Sequence, residues 1–289
     1  MDLLKFVIFA LAVLWVVWYS AGGPDRGQTK DPFIEPPPPI GTGDTYSIGG
    51  ASGVKDETTG VSAETSLFDN KVSFYGKGTA RLSDPAKEYV EIRAAKTNVA
   101  PVGISGWTIK SATTGKSAVI GNGVYTPAGG FVNPEQPIYL APGSKAYITT
   151  GRSPKGYSFR LNLCTGYFEQ FQNFSPSVPK ECPLPKNEPY STGPNGLTDA
   201  CVEYIEGLRR CETHTTPLPI SFSNDPICQE YVADTINYDW CVSAHKNEAD
   251  FYETEWRVFL GRDTELWKES RETILLLDES GKAVDSVSY

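Results

Sequence analysis

Apolar and polar positions alternate with a period of two over much of the chain. In Tyr89–Arg93, Val90 and Ile92 alternate with Glu91 and Arg93, as in a strand with one buried face. Ile104–Lys110 predicts a second strand. Trp107 and Ile109 share one of its faces, and Ser105-Gly106 sits where a bulge or tight bend belongs. The same reading predicts strands over Lys71–Leu82, Tyr89–Ala94, Ile104–Ser111, Ser117–Ile120, Ile138–Leu140, Lys145–Thr150 and Tyr157–Leu163. Ser83-Asp84-Pro85, Thr114-Gly115, Gly121-Asn122-Gly123 and Ala141-Pro142-Gly143-Ser144 punctuate them as turns. Short strands at this spacing point to a sandwich rather than an α/β sheet.

From Cys164 to Asp250 the alternation stops. Proline-rich coil fills Ser175–Pro194, and two windows of helical period follow. Thr198 or Asp199 caps the first, which carries Cys201, Tyr204, Ile205 and Leu208. Asp225-Pro226 opens the second, which carries Cys228, Tyr231, Val232 and Ile236. Strands then return at Glu255–Leu260, Thr273–Leu277 and Ala283–Tyr289, the last two joined by a turn at Asp278-Glu279-Ser280-Gly281.

Ahead of the strands, Phe6–Gly23 is 18 residues without a charge. As a helix it spans about 27 Å, close to a bilayer's hydrocarbon thickness. Trp15, Trp18 and Tyr19 sit at its far end, where an aromatic belt belongs. Residues 1–23 are therefore expected to be an uncleaved transmembrane anchor. A signal peptide cut near Ser20-Ala21-Gly22 is the alternative, and either one exports the remainder. Residues 24–66, with Pro36–Pro39, read as a proline- and glycine-rich tether.

Charge and cysteines narrow the function. The 289 residues carry a formal charge of -9, which opposes a phosphate backbone, so no nucleic-acid partner is expected. All six cysteines (Cys164, Cys182, Cys201, Cys211, Cys228 and Cys241) lie within one 78-residue span. An even, clustered set in an exported chain predicts three disulfides and an extracytoplasmic domain. Zinc held by Cys211-x2-His214 and Cys241-x3-His245 is the competing reading, but it leaves four cysteines unexplained. If the two helical windows pack as an antiparallel hairpin, Cys211 faces Cys228 and Cys201 faces Cys241. The expected bridges are then Cys164–Cys182, Cys201–Cys241 and Cys211–Cys228.

The strand segments resemble the lamin-tail domain, an immunoglobulin-like β-sandwich. The pieces that carry the resemblance are Glu88-Tyr89-Val90-Glu91-Ile92, Ser105-Gly106-Trp107-Thr108-Ile109, Leu140-Ala141-Pro142-Gly143 and Ile148-Thr149-Thr150-Gly151. Ile274-Leu275-Leu276-Leu277-Asp278 follows, with Gly281, Val284, Asp285 and Tyr289. They occur in the family's order and are split by the cysteine-containing segment. The resemblance implies a mainly β fold, with a lamin-tail sandwich built from residues 67–163 and 252–289. The small disulfide-rich helical and coil insertion, 164–251, would interrupt it, and a transmembrane helix would precede it. It also implies an interaction module.

Candidate chemistry is sparse. His245, near Glu248 and Asp250, and His214 are the chain's two histidines, and a hydrolase built on them is the alternative function. Asp84, Glu88, Glu91, Asp278, Glu279 and Asp285 could gather around Ca²⁺ but lack the spacing of a loop site. Tyr157, Phe159, Tyr167, Phe168, Phe171 and Phe174 crowd the segment around Cys164 and predict either a satellite core or an exposed binding platform. The expectation is a non-enzymatic module without catalytic residue, metal or cofactor. It is tethered to the cell membrane by a single pass, with its C-terminal domain outside the cytoplasm and a protein or cell-envelope partner.

Overall fold

The computed structural model describes residues 11–16, 66–128, 133–192, 196–214, 218–219, 222 and 224–289. The chain divides into two units, Met1–Thr59 and Gly60–Tyr289. In the first, residues 11–16 form an exposed stretch of helix. The rest of the expected anchor lies outside the described residues, as does nearly all of the tether. Among the described residues no helix is long and apolar enough to cross a membrane.

The second unit is mainly β. Its strands are β1 (Val72–Gly76), β2 (Tyr89–Ala94), β3 (Val102–Gly103), β4 (Thr108–Ser111), β5 (Ser117–Val119) and β6 (Gly123–Val124). They continue with β7 (Tyr139–Leu140), β8 (Lys145–Thr149), β9 (Ser158–Asn162), β10 (Tyr252–Phe259), β11 (Thr273–Leu277) and β12 (Ala283–Ser288). One sheet has six strands in the order β1-β2-β8-β10-β9-β6, a second has four in the order β12-β11-β4-β5, and β3 pairs with β7. Val90, Ile92, Ile148 and Trp256 of the larger sheet share one buried cluster with Ile109, Ile274, Leu276 and Val284 of the smaller, and Trp107 lies among them. Strands from before and after the insertion thus complete one core. β10 runs parallel to β8 and antiparallel to β9, while β11 pairs with β4.

Several strands are a residue or two shorter than their alternation predicts, and two are cut to about half. Lys71–Leu82 keeps strand geometry only to Gly76, and a bulge at Tyr75 shifts its register. Ile104–Ser111 becomes a strand only at Thr108. Before it, Trp107 N–H donates to the Ile104 carbonyl, and Gly106 sits at φ +86, a turn conformation that favours glycine.

The insertion is the connection between β9 and β10, two antiparallel neighbours. It holds α1 (Asp199–Glu206), α2 (Pro226–Thr235) and α3 (Tyr238–His245). The side chains of Thr198 and Asp225 accept from Cys201 N–H and Cys228 N–H and cap α1 and α2. The third helix is not predicted by the hydrophobic pattern. Asn237 starts it by accepting from Trp240 N–H, one residue after α2 has ended at Ile236.

That break corrects the expected disulfides. The bridges are Cys164–Cys241, Cys182–Cys211 and Cys201–Cys228; Cys164–Cys182, Cys201–Cys241 and Cys211–Cys228 do not form. The helical hairpin assumed Cys211 at the far end of α1 and Cys241 at the far end of α2. In fact α1 stops at Glu206, Cys211 lies beyond it at φ +60, and Cys241 belongs to α3. α1 and α2 meet at their starts, where Thr198 Oγ1 donates to Asp225 Oδ2 at 2.9 Å and the two first-turn cysteines bond. With all six cysteines bridged, the Cys2His2 zinc reading falls.

Candidate functional site

Positions of like parity on β1, β2, β8 and β10 turn away from the shared core. The outward row across the larger sheet runs Ser73, Arg93, Lys145, Glu255, and the next runs Glu91, Tyr147, Arg257, Phe159. The insertion roofs one half of this face. Phe159 packs with Phe168, Phe174 and Val178 in a satellite core. Arg257, also buried, donates to the Pro176 and Ser177 carbonyls at 2.5 and 2.8 Å. Thr149 Oγ1 donates to the Ser175 carbonyl at 3.2 Å. The crowded aromatics therefore mostly form a core, with Phe171 the exposed member.

The other half stays open, over β1, β2 and β8. The bulge in β1 brings Tyr75, 64% exposed, over the guanidinium of Arg93, whose Cζ lies 3.2 Å from the ring centroid. Arg93 Nε donates to Glu91 Oε1 at 2.5 Å. Tyr89 meets Tyr147 edge-on at 5.6 Å, and Lys145 lies over Tyr147 while pairing with Glu255 at 2.8 Å. Burial works to lower the Lys145 pKa, but the Glu255 carboxylate outweighs it and holds the ammonium charged. Tyr75 and Tyr147 are thus each braced by a neighbouring cation, and Tyr89 leans on Tyr147. Rigid tyrosines and arginines of this kind dominate the energetics of protein interfaces.

The histidines are placed apart from this face. His245 Nδ1 lies 2.7 Å from Glu248 Oε1, as the sequence pairing anticipates, and Nε2 lies 3.1 Å from Glu188 Oε1. Glu188 is buried and also accepts from Trp240 Nε1 at 3.3 Å. Burial lowers the His245 pKa, yet hydrogen bonds to Glu248 and Glu188 overcome it, and the net shift is upward. An imidazolium donating to two carboxylates is a clasp between the coil and α3. Asp250 takes no part in it. His214 packs edge-on against Tyr204, with Nδ1 3.2 Å from the hydroxyl. Glu188 was missed because 57 residues separate it from His245 and it lies in coil with no periodic signal.

The carboxylates considered for Ca²⁺ are dispersed. Glu88 is buried and accepts from Leu266 N–H and Trp267 N–H; Asp278 caps its own hairpin; Asp285 accepts from Phe74 N–H. Among the described residues no group of three or more His, Cys, Asp or Glu side chains could hold a metal ion. Two cavities open beside the larger sheet. One, of about 220 Å³, is lined by Glu181, Glu253 and Glu255, and burial with the two neighbouring carboxylates raises the Glu253 pKa. The other, of about 340 Å³, opens beside Tyr157 and Phe259.

No protein-family model matches the chain, and no similar curated protein or solved structure is found.

Proposed function

We propose that this chain is a non-enzymatic interaction module of the lamin-tail type, tethered to the membrane by its N-terminal segment and displayed outside the cytoplasm. The observation that carries the reading is the open half of the larger sheet, where the exposed Tyr75 is braced by Arg93 beside the half-buried, edge-on pair Tyr89–Tyr147. The residues of the lamin-tail resemblance support its immunoglobulin-like part, since Val90, Ile92, Trp107, Ile109, Ile148, Ile274 and Leu276 share one core. The three disulfides support an oxidising compartment. The partner is a protein or another cell-envelope component, not nucleic acid, given the charge of -9.

The test places a photoreactive benzoylphenylalanine at Tyr75 of the full chain in its native membrane. A discrete adduct is expected, absent when the probe stands at Val119, which is 60% exposed on the other sheet. Identical adducts from both positions, or none from position 75, would remove the face from consideration. Retention in the membrane through a carbonate wash checks the tether, and a mature N-terminus at Gly23 or beyond would refute it.

A further inference from the structure

We infer that the cavity beside Tyr157 and Phe259 is a binding site for a short neutral saccharide. It lies near the β9 end of the larger sheet, strands away from the Tyr75 face, so the two readings fail independently. Its volume of about 340 Å³ is at the small end of ligand clefts, too little for a folded partner.

Two kinds of surface meet there. Tyr157 and Phe259 are held from behind by Phe159, the first edge-on at 6.3 Å and the second stacked at 6.4 Å. Rings braced in this way present a fixed apolar wall. Opposite chemistry comes from Asn122, Glu135 and Arg152. Asn122 and Glu135 are exposed and make no hydrogen bond to another described residue. Arg152 is oriented by Asp263, with Nε to Oδ1 at 2.8 Å and Nη2 to Oδ2 at 2.9 Å, which leaves its Nη1 amino group uncommitted. The backbone between these walls is glycine at positions 121, 156 and 261, and a Cβ at any of the three would meet nothing within 4 Å.

A pyranose ring has an apolar C–H face and a rim of hydroxyls that both donate and accept. It needs a flat aromatic surface together with planar donors and acceptors, which Asn, Glu and Arg supply. Other ligands fit worse. An anion meets the Glu135 carboxylate and an arginine already paired with Asp263. A metal ion finds one carboxylate where several are needed. A purely apolar ligand would bury Asn122 and Glu135 without partners.

Saturation-transfer NMR on the full chain in detergent tests the assignment, with triacetylchitotriose and cellotetraose as probes and tetra-alanine as the peptide control. At least one saccharide should receive saturation, strongest at the protons of one ring face. Tyr157→Ala removes an aromatic wall, and Gly121→Leu fills the open space without a positive φ to strain it. Each should weaken binding by about tenfold or more, with an unchanged circular-dichroism spectrum. If Tyr157→Ala fails to fold, Gly121→Leu decides alone. No transfer to either saccharide at millimolar concentration, transfer that Gly121→Leu leaves intact, or transfer to the peptide alone would overturn the site.

Discussion

Cys164 and Cys241 are bonded across the base of the insertion, with Cα atoms 5.8 Å apart although 77 residues separate them in sequence. Cys164 follows β9 by two residues, and Cys241 lies in the helix that leads back to β10. The bridge therefore fastens the insertion where it leaves and re-enters the sheet. Closing a loop of that length restricts the unfolded chain by about 4 kcal/mol in the chain-entropy account. Replacing both cysteines by serine should cost about 2–4 kcal/mol in urea unfolding, with strand content by circular dichroism retained. A loss under about 0.5 kcal/mol would mean that the insertion holds its base without the bridge.

Glu88 is a carboxylate inside the core, and its two oxygens accept from Leu266 N–H at 2.9 Å and Trp267 N–H at 3.1 Å. Burial is the largest influence on it and raises its pKa above 4.5 despite those donors. An acid whose folded pKa is raised stabilises the fold fully below 4.5 and loses that contribution as pH climbs through the folded value. Glu88→Ala strands two buried N–H groups and should cost about 3 kcal/mol at pH 4. The penalty should shrink toward pH 8, because the wild type then carries a buried charge. Unfolding curves at both pH values measure the difference, and a penalty that grows with pH would reverse the assignment.

The His245 clasp has the opposite chemistry but the same direction of pH dependence. Its folded pKa is raised above 6.5 by Glu248 and Glu188 acting against burial. The stabilisation is complete below 6.5 and fades as pH rises through the folded value. His245→Gln should therefore cost about 1–2 kcal/mol at pH 5.5 and much less at pH 9. Equal losses at the two pH values would show that the imidazole contributes packing only.

What the sequence disclosed follows the range of the interactions. β2 and β11 match their expected boundaries because Val90 and Ile92, or Ile274 and Leu276, alternate against partners that bury one face. The hairpin turn at Asp278–Gly281 was legible for a similar local reason, since Gly281 at φ +79 and the Asp278 side chain build it within five residues. Pairings across long separations left no such mark. The parallel contact of β10 with β8 joins Trp256 to Ala146, and nothing in either strand's alternation names the other. The bridges were misread because both helical windows end early: the first stops at Glu206, which leaves Cys211 beyond it, and Asn237 caps a new helix that carries Cys241. The two proposed binding surfaces were only partly legible: Tyr157 stood out among the crowded aromatics, but Tyr75 projects through a bulge and Asn122 and Arg152 meet only in the folded chain.

Gly151 closes the Ile148–Gly151 piece of the lamin-tail resemblance, and its surroundings give it a physical reason to be glycine. Its N–H donates to the Pro85 carbonyl at 2.7 Å, and its own carbonyl accepts from Gly261 N–H at 3.1 Å. A Cβ there would stand 2.7 Å from the Pro85 oxygen and 2.9 Å from the Ala86 Cα and nitrogen. All three are backbone atoms of the turn that leads into Glu88, so no side chain can rotate away to make room. Gly151→Ala must push this turn outward, at a cost of about 1–3 kcal/mol and a fall in Tm of about 2–10 °C for a unit of this size. Gly121→Ala is the matched control: it places the same methyl group where nothing lies within 4 Å and should change stability by less than about 0.5 kcal/mol. Thermal unfolding of the two variants side by side measures the contrast, and equal Tm values would mean that the turn and Gly151 do not approach this closely.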